Sequence, residues 1–101
     1  MIVRVRVPTA LRELVAGSQS VAVEVSADAD ALSDVVTVLA VLDALATTHP
    51  ALERRVRDEM GRPRAHVNLF VGADNVRDLD GLATSIGPGA ELSIIPAVSG
   101  G

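Results

Sequence analysis

Two short runs with valine at every second position constrain this chain more than anything else in it. Val3, Val5 and Val7 alternate with Ile2, Arg4 and Arg6, and Val21, Val23 and Val25 alternate with Ala22 and Glu24. A period of two puts the valines on one side of an extended chain, and β-branched residues suit a half-buried strand. Pro8 ends the first run. The two strands read as a hairpin with a long connection over residues 9–20, which carries Gly17 and the apolar stretch 11–15. A third alternation, over residues 66–71, sets Val67, Leu69 and Val71 on one side and Phe70 on the other. A fourth, over residues 91–96, sets Leu92 and Ile94 inward, with Ser93 and Ile95 outward.

Between the second and third runs the period lengthens. Leu32, Val35, Val36, Leu39, Leu42 and Leu45 recur at three and four residues, the spacing of one helix face. Asp30 or Ser33 could cap a long version of this helix, but residues 35–38 are dense in β-branched side chains, so Thr37 is the favoured cap of a shorter helix running to about Thr47, with residues 26–36 loosely ordered. Pro50 stops that helix, and residues 51–60 add a turn or two with Leu52 and Val56 inward before Gly61. Residues 74–84 are rich in turn formers, with a short strand expected at Val76 and Arg77. Gly87-Pro88-Gly89 reads as a tight turn in which Gly89 takes positive φ.

Strand, strand, helix and then two or three strands define an α+β chain in the β-grasp (ubiquitin-like) arrangement, a mixed sheet of four to five strands packed on one main helix. The expected organisation is a single domain over residues 1–101 with a flexible C-terminal tail, 97–101. The helix covers one sheet face. The other presents Arg4, Arg6, Phe70 and Ile95, and with Pro96 at the tail exit these form the candidate partner interface.

Composition removes several functions. The chain has no cysteine, which excludes thiol nucleophiles, zinc-thiolate sites and redox pairs. Its net charge is −4 and Phe70 is its only aromatic residue, the reverse of a nucleic-acid binder. No apolar run approaches the roughly 18 residues of a membrane span, and the start lacks a signal peptide's basic stretch, so the reading is a soluble, cytoplasmic protein. His49 and His66 lie on different elements, and Asp74, Asp78 and Asp80 lack the spacing of a calcium loop, so no metal site is expected. Arg54, Arg55, Arg57, Arg62 and Arg64 alternate with Glu53, Asp58 and Glu59 and read as a solvated helix end. All nine cationic residues are arginine, so the chain offers no lysine amine for acylation.

The chain closes on Ser99-Gly100-Gly101, a few residues beyond its last strand. Residues without a Cβ can thread a narrow channel and expose the terminal carbonyl from either side, which makes the α-carboxylate of Gly101 the candidate reactive group. Pro96 stiffens the exit and confines the flexible part to the end.

His66-Val67-Asn68-Leu69-Phe70-Val71, Asn75-Val76-Arg77, Gly81-Leu82-Ala83-Thr84 and above all Ile95-Pro96-Ala97-Val98-Ser99-Gly100-Gly101 resemble the ubiquitin-like sulfur carriers of the MoaD/ThiS family, most of all the branch serving bacterial cysteine biosynthesis. The likeness covers residues 1–25 and 37–101 in element order. Residues 26–36 look longer than the family's usual link, and Ser99 stands where Ala is more frequent. The resemblance implies a carrier without catalytic residues or bound cofactor of its own. A ubiquitin-activating-type adenylating and sulfurtransferase enzyme would use ATP to activate Gly101, with Val98, Ser99 and Gly100 threading its channel. Sulfur would then pass as a thiocarboxylate to an accepting synthase. The small subunit of molybdopterin synthase, and a ubiquitin-like modifier conjugated through Gly101, are the alternatives.

Overall fold

The four alternations become four strands of one sheet in the computed structural model, which describes residues 1–25 and 35–96. The strands and α-helices are β1 (Ile2–Arg6), β2 (Ser20–Glu24), β3 (Val36–Thr37), α1 (Val38–Thr48), α2 (Pro50–Val56), β4 (Val67–Val71), β5 (Asp74–Asn75), β6 (Ser85–Ile86) and β7 (Glu91–Pro96). The main sheet runs β2-β1-β7-β4-β5; β1 and β7 are parallel and the other pairs antiparallel, so the sheet is mixed as expected. Val3 faces Val23 and Val5 faces Val21 across the hairpin, and all four are buried. The long connection holds a 3-10 helix, Thr9–Val15, which turns Val15 into the core.

Helix α1 starts where the cap argument puts it. The Thr37 hydroxyl accepts a hydrogen bond from the Ala40 N–H at 3.1 Å, satisfying one of the unpaired donors of the first turn. Two expectations around it are corrected. Val36 is not part of a loose segment: it pairs with Ile86 in the β3–β6 ribbon and is buried, because a β-branched residue before the cap suits an extended partner better than a helix. The buried stripe is Val38, Val41, Leu42 and Leu45, whereas Val35 and Leu39 are exposed. With the helix starting at Val38, its phase is set by two valines that the three-and-four count starting from Leu32 had passed over. The expectation for residues 26–34 lies outside the described residues.

Pro50 ends α1 and occupies the first turn of α2, where its missing N–H costs nothing. Leu52 and Val56 are fully buried as expected. The helix stops at Val56 instead of continuing toward Met60, because Arg57 turns extended, pairs with Pro63 and directs its side chain back onto α1 and α2. Val76 and Arg77 are not a strand either. The side-chain oxygen of Asn75 accepts from the Arg77 N–H at 3.0 Å and draws Val76–Asp78 into a 3-10 turn that buries Val76, which confines β5 to Asp74–Asn75. Gly89, at φ +82, closes the turn before β7 as predicted. The valine runs, α1, α2 and the inward residues Leu69, Ile86, Leu92 and Ile94 make one continuous core.

Candidate functional site: the open sheet face and the tail exit

Alternation in β1, β4 and β7 dictates which residues remain on the uncovered face. Val3, Val5, Leu69, Leu92 and Ile94 point into the core, so Arg4, Arg6, Asn68, Phe70, Glu91, Ser93 and Ile95 are left outside. Register aligns them in rows. Ser20, Arg6, Ser93, Phe70 and Asn75 follow one another across the five strands, and Ile95 stands next to Asn68, diagonal to Phe70. Diagonal neighbours on antiparallel strands lie within reach of an aromatic ring. Phe70 is half-buried and Ile95 is 44% exposed, so the two form an apolar spot toward the end of β7, while Ile2, 68% exposed, stands on the same face at the start of β1. The five residues predicted for a partner interface are thereby sorted. Phe70, Ile95 and Pro96 cluster at the end where β7 leaves the sheet, with Arg6 beside them. Arg4 lies one row further away, directly opposite Glu91.

The exit has a geometry of its own. Because β1 and β7 run parallel, both strands finish at the same edge of the sheet. The turn after β1 and the last residues of β7 border a groove of about 460 Å³ lined by Arg6, Pro8, Thr9, Arg12, Ser93 and Ile95 among others. Arg12 did not stand out in the sequence. Only the parallel pairing, which periodicity does not report, carries the 3-10 helix to the tail exit. Pro96 sits opposite Val67 at the end of β7 and is exposed. Val98, Ser99, Gly100 and Gly101 lie outside the described residues. Whatever their conformation, the five residues from Ala97 to Gly101 can span no more than about 17 Å from the body.

Ionic structure gathers on the helical side. Arg57 is buried, and its guanidinium donates to Glu53 at 2.6 Å and to Asp43 at 2.9 Å. Burial pulls its pKa down, but the hydrogen bond to Glu53, then that to Asp43 and the two nearby negative charges, outweigh it, so the pKa is raised and the cation is held. The Glu53–Arg57 half of this cluster is an i,i+4 pair visible in sequence, whereas Asp43 is brought in only by packing. Asp58 accepts from the N–H groups of Arg62 and Met60, and these bonds, the former first, hold its carboxyl below the ordinary value of 3.8. His49 sits at the helix junction with its ring nitrogen 3.0 Å from the Thr48 hydroxyl. Among the described residues no group of three histidine, aspartate or glutamate side chains comes together as a metal site, and no helix is long and apolar enough to cross a membrane.

A mixed sheet over one main helix, with an open face and an inner strand, β7, parallel to β1, defines a β-grasp protein of the ubiquitin-like class. Comparison with known proteins makes the assignment narrower: the ThiS family profile matches residues 5–101, and the chain belongs to that family. It is 36% identical, over the full length of both chains, to the sulfur carrier protein CysO of Mycobacterium tuberculosis, and 39% identical over 87 residues, 86% of this chain and 87% of the other, to small archaeal modifier protein 1 of Haloferax volcanii. Among solved structures, CysO in the Amycolatopsis orientalis BexX/CysO complex superposes with a TM-score of 0.77 at 31% identity, covering 98% of this chain and 99% of the other. The Haloferax modifier superposes at 0.75 with 33% identity and complete coverage of both chains.

Proposed function

We propose that this protein is a sulfur carrier whose Gly101 carboxylate is activated by an ATP-dependent partner and converted to a thiocarboxylate, and that it supplies sulfur for cysteine formation. The observation that carries the reading is an open, partly apolar sheet face that reaches the end of β7, five residues before the sequence closes on Ser-Gly-Gly, in a chain alignable end to end with CysO. Carboxylates are poor electrophiles. Attack of the Gly101 carboxylate on the α-phosphate of ATP expels pyrophosphate and gives an acyl adenylate. A sulfide-level nucleophile then adds at the acyl carbon and AMP leaves, with sulfur in place of one carboxylate oxygen. The thiocarboxylate is an anionic nucleophile at neutral pH, so the carrier needs no thiol of its own, in accord with the absence of cysteine. This chain contributes recognition and reach, while the catalytic groups and the ATP belong to the partner. A chain of 31% identity in the structure of the BexX/CysO complex supports the reading that a body of this kind assembles with a protein partner, a role for which the sheet face here is the candidate.

Intact-mass spectrometry of the protein purified from its own host tests the proposal. Replacing oxygen by sulfur adds about 16 Da, an increment required by the acyl-transfer chemistry. Fragmentation must place it on Gly101, because oxidation of Met1 or Met60 adds a similar nominal mass. An increment confined to the methionines, under conditions of active sulfur assimilation, overturns the carrier reading. The likeness to the archaeal modifier favours a second use of the same carboxylate, isopeptide formation with lysines of other proteins. With no lysine in this chain, self-linkage through lysine is excluded, and conjugation appears on a denaturing gel as adducts heavier than the free protein.

A further inference from the structure

The groove at the tail exit carries a charge that threading a small-residue tail does not require. Two guanidinium groups, Arg6 and Arg12, line it, and among the described residues no carboxylate does, in a protein with net charge −4. Arg57 is held by two acids, Arg62 lies against Asp58, and Arg64 and Arg77 donate to backbone carbonyls, while Arg54 and Arg55 are exposed on α2, away from the strand ends. Arg4 has Glu91 directly across from it, whereas Arg6 has Ser20 and Ser93 as its lateral neighbours. Arg12 donates through Nε to the Val7 carbonyl at 3.1 Å. That bond fixes the stem and leaves the terminal amino groups without a partner among the described residues.

We propose that Arg6 and Arg12 form a clamp for an aspartate or glutamate at the mouth of the partner's tail channel, and that the clamp turns the carrier tail-first as it approaches. The inference rests on the carrier reading, because the partner meant is the enzyme that receives Gly101. A planar fork recognises a carboxylate through paired N–H donors, and Arg12 is already oriented for it. Position supports the assignment. Gly101 lies within about 17 Å of the end of β7, so whatever surrounds the channel mouth meets this groove. Guanidinium groups beside the tail exit of a protein with net charge −4 also orient approach before contact, an effect expressed in the association rate and screened by salt.

The test is stopped-flow association of the full-length protein with the ATP-free adenylating enzyme of the same host, at about 50 mM and about 500 mM NaCl, spanning weak and strong screening. The R6Q/R12Q double variant is expected to associate about tenfold more slowly at low salt and within about twofold of wild type at high salt. R12K is expected to recover most of the loss, and R55Q, altering an exposed charge on α2, to stay within about twofold. Equal rates for wild type and the double variant at low salt overturn the clamp, as does a deficit undiminished by salt, which would mean lost packing. An equal loss in R55Q reduces the effect to net charge, and a loss seen only with ATP present points to nucleotide phosphates; either result also overturns it. R6Q alone covers the case in which losing the Arg12–Val7 bond unfolds the double variant, since Arg6 has no side-chain hydrogen bond among the described residues. Failure of the underlying reading looks different: charge-dependent binding without pyrophosphate exchange leaves the clamp and removes the carrier function, while adenylation of every variant at equal association rates does the reverse. Wild-type protein that does not bind at all overturns both.

Discussion

Replacing Phe70 by Asp tests the open-face assignment at a position whose chain neighbour supplies the control. Phe70 and Leu69 are adjacent in β4, yet Leu69 is 2% exposed in the core and Phe70 stands half-buried on the outer face. Full burial of such a side chain contributes about 1.5–3 kcal/mol, so losing half of it costs about 1 kcal/mol. An aspartate in a strand adds up to about 1 kcal/mol. The variant should therefore lose about 1–2 kcal/mol, a fall in Tm of roughly 5–15 °C for a domain of this size. Truncating Leu69 to Ala should cost more, about 2–5 kcal/mol, because it opens a cavity. Binding should respond in the opposite order. A charge placed at the centre of a docking surface costs at least about 2 kcal/mol there, or about thirtyfold in Kd. Calorimetric titration with the adenylating partner, beside thermal unfolding of both variants, reads the two effects separately. Wild-type affinity in F70D would refute the interface, and a Tm loss matching that of L69A would refute the strand register.

Three further outcomes are expected. A Cβ at Gly100 narrows a tail that must pass a constricted channel, so G100V should slow pyrophosphate exchange on the order of a hundredfold while Kd for the body stays within a few fold of wild type; equal exchange rates would mean an open channel. Converting Arg57 to Met leaves Glu53, whose side chain is 14% exposed, without its partner, while Asp43 at 63% is readily hydrated, so urea denaturation should show a loss of about 2 kcal/mol, partly recovered by adding E53Q. Asp58 has a folded-state pKa below its ordinary 3.8, so its contribution to stability is present above that value and disappears as pH falls through the lower folded value. Melting curves of wild type and D58N should accordingly differ near neutrality and converge in strong acid, and a gap that persists there would contradict the hydrogen-bonded turn.

What periodicity could reach, and what it could not, divides along physical lines. Strands were legible because a half-buried strand writes its two faces into consecutive residues, as Val3, Val5 and Val7 do. The start of α1 was legible because Thr37 supplies a hydroxyl where the helix needs an acceptor. Its phase was not, since Val35 and Leu39 satisfy the same spacing as Val38 and Leu42, and only packing against the sheet chooses between them. Val36 was lost for a related reason: a two-residue strand has no period, and its partner Ile86 lies far along the chain. Arg57 reads as one more charge in a solvated run until Asp43 is brought to it. Of the candidate interface, the outward direction of Phe70 and Ile95 followed from alternation, but their proximity follows from the pairing of Asn68 with Ile95 and of Phe70 with Ser93, a register no local pattern encodes.

If Gly101 is the activated group, strand direction has a functional consequence in this fold. The β1–β7 pair could in principle hold the same valines and leucines in the core whether parallel or antiparallel, since burial depends on which face a residue occupies and not on which end of the sheet it reaches. Parallel pairing sets Arg6 beside Ser93 and carries Pro8, Thr9 and Arg12 to the edge where β7 ends. Reversed pairing would put them at the far end of a five-residue strand, roughly 16 Å away at about 3.3 Å per residue. That distance is about the reach of the tail itself, so the groove would then lie beyond any surface surrounding a threaded Gly101. A carrier that separates recognition from chemistry, with a rigid body for the first and a side-chain-poor tail for the second, gains from the separation only when both act on the same partner surface. On the proposed reading, the parallel pair at the centre of the sheet sets the candidate recognition groove at the edge where β7 ends and the sequence continues into residues 97–101.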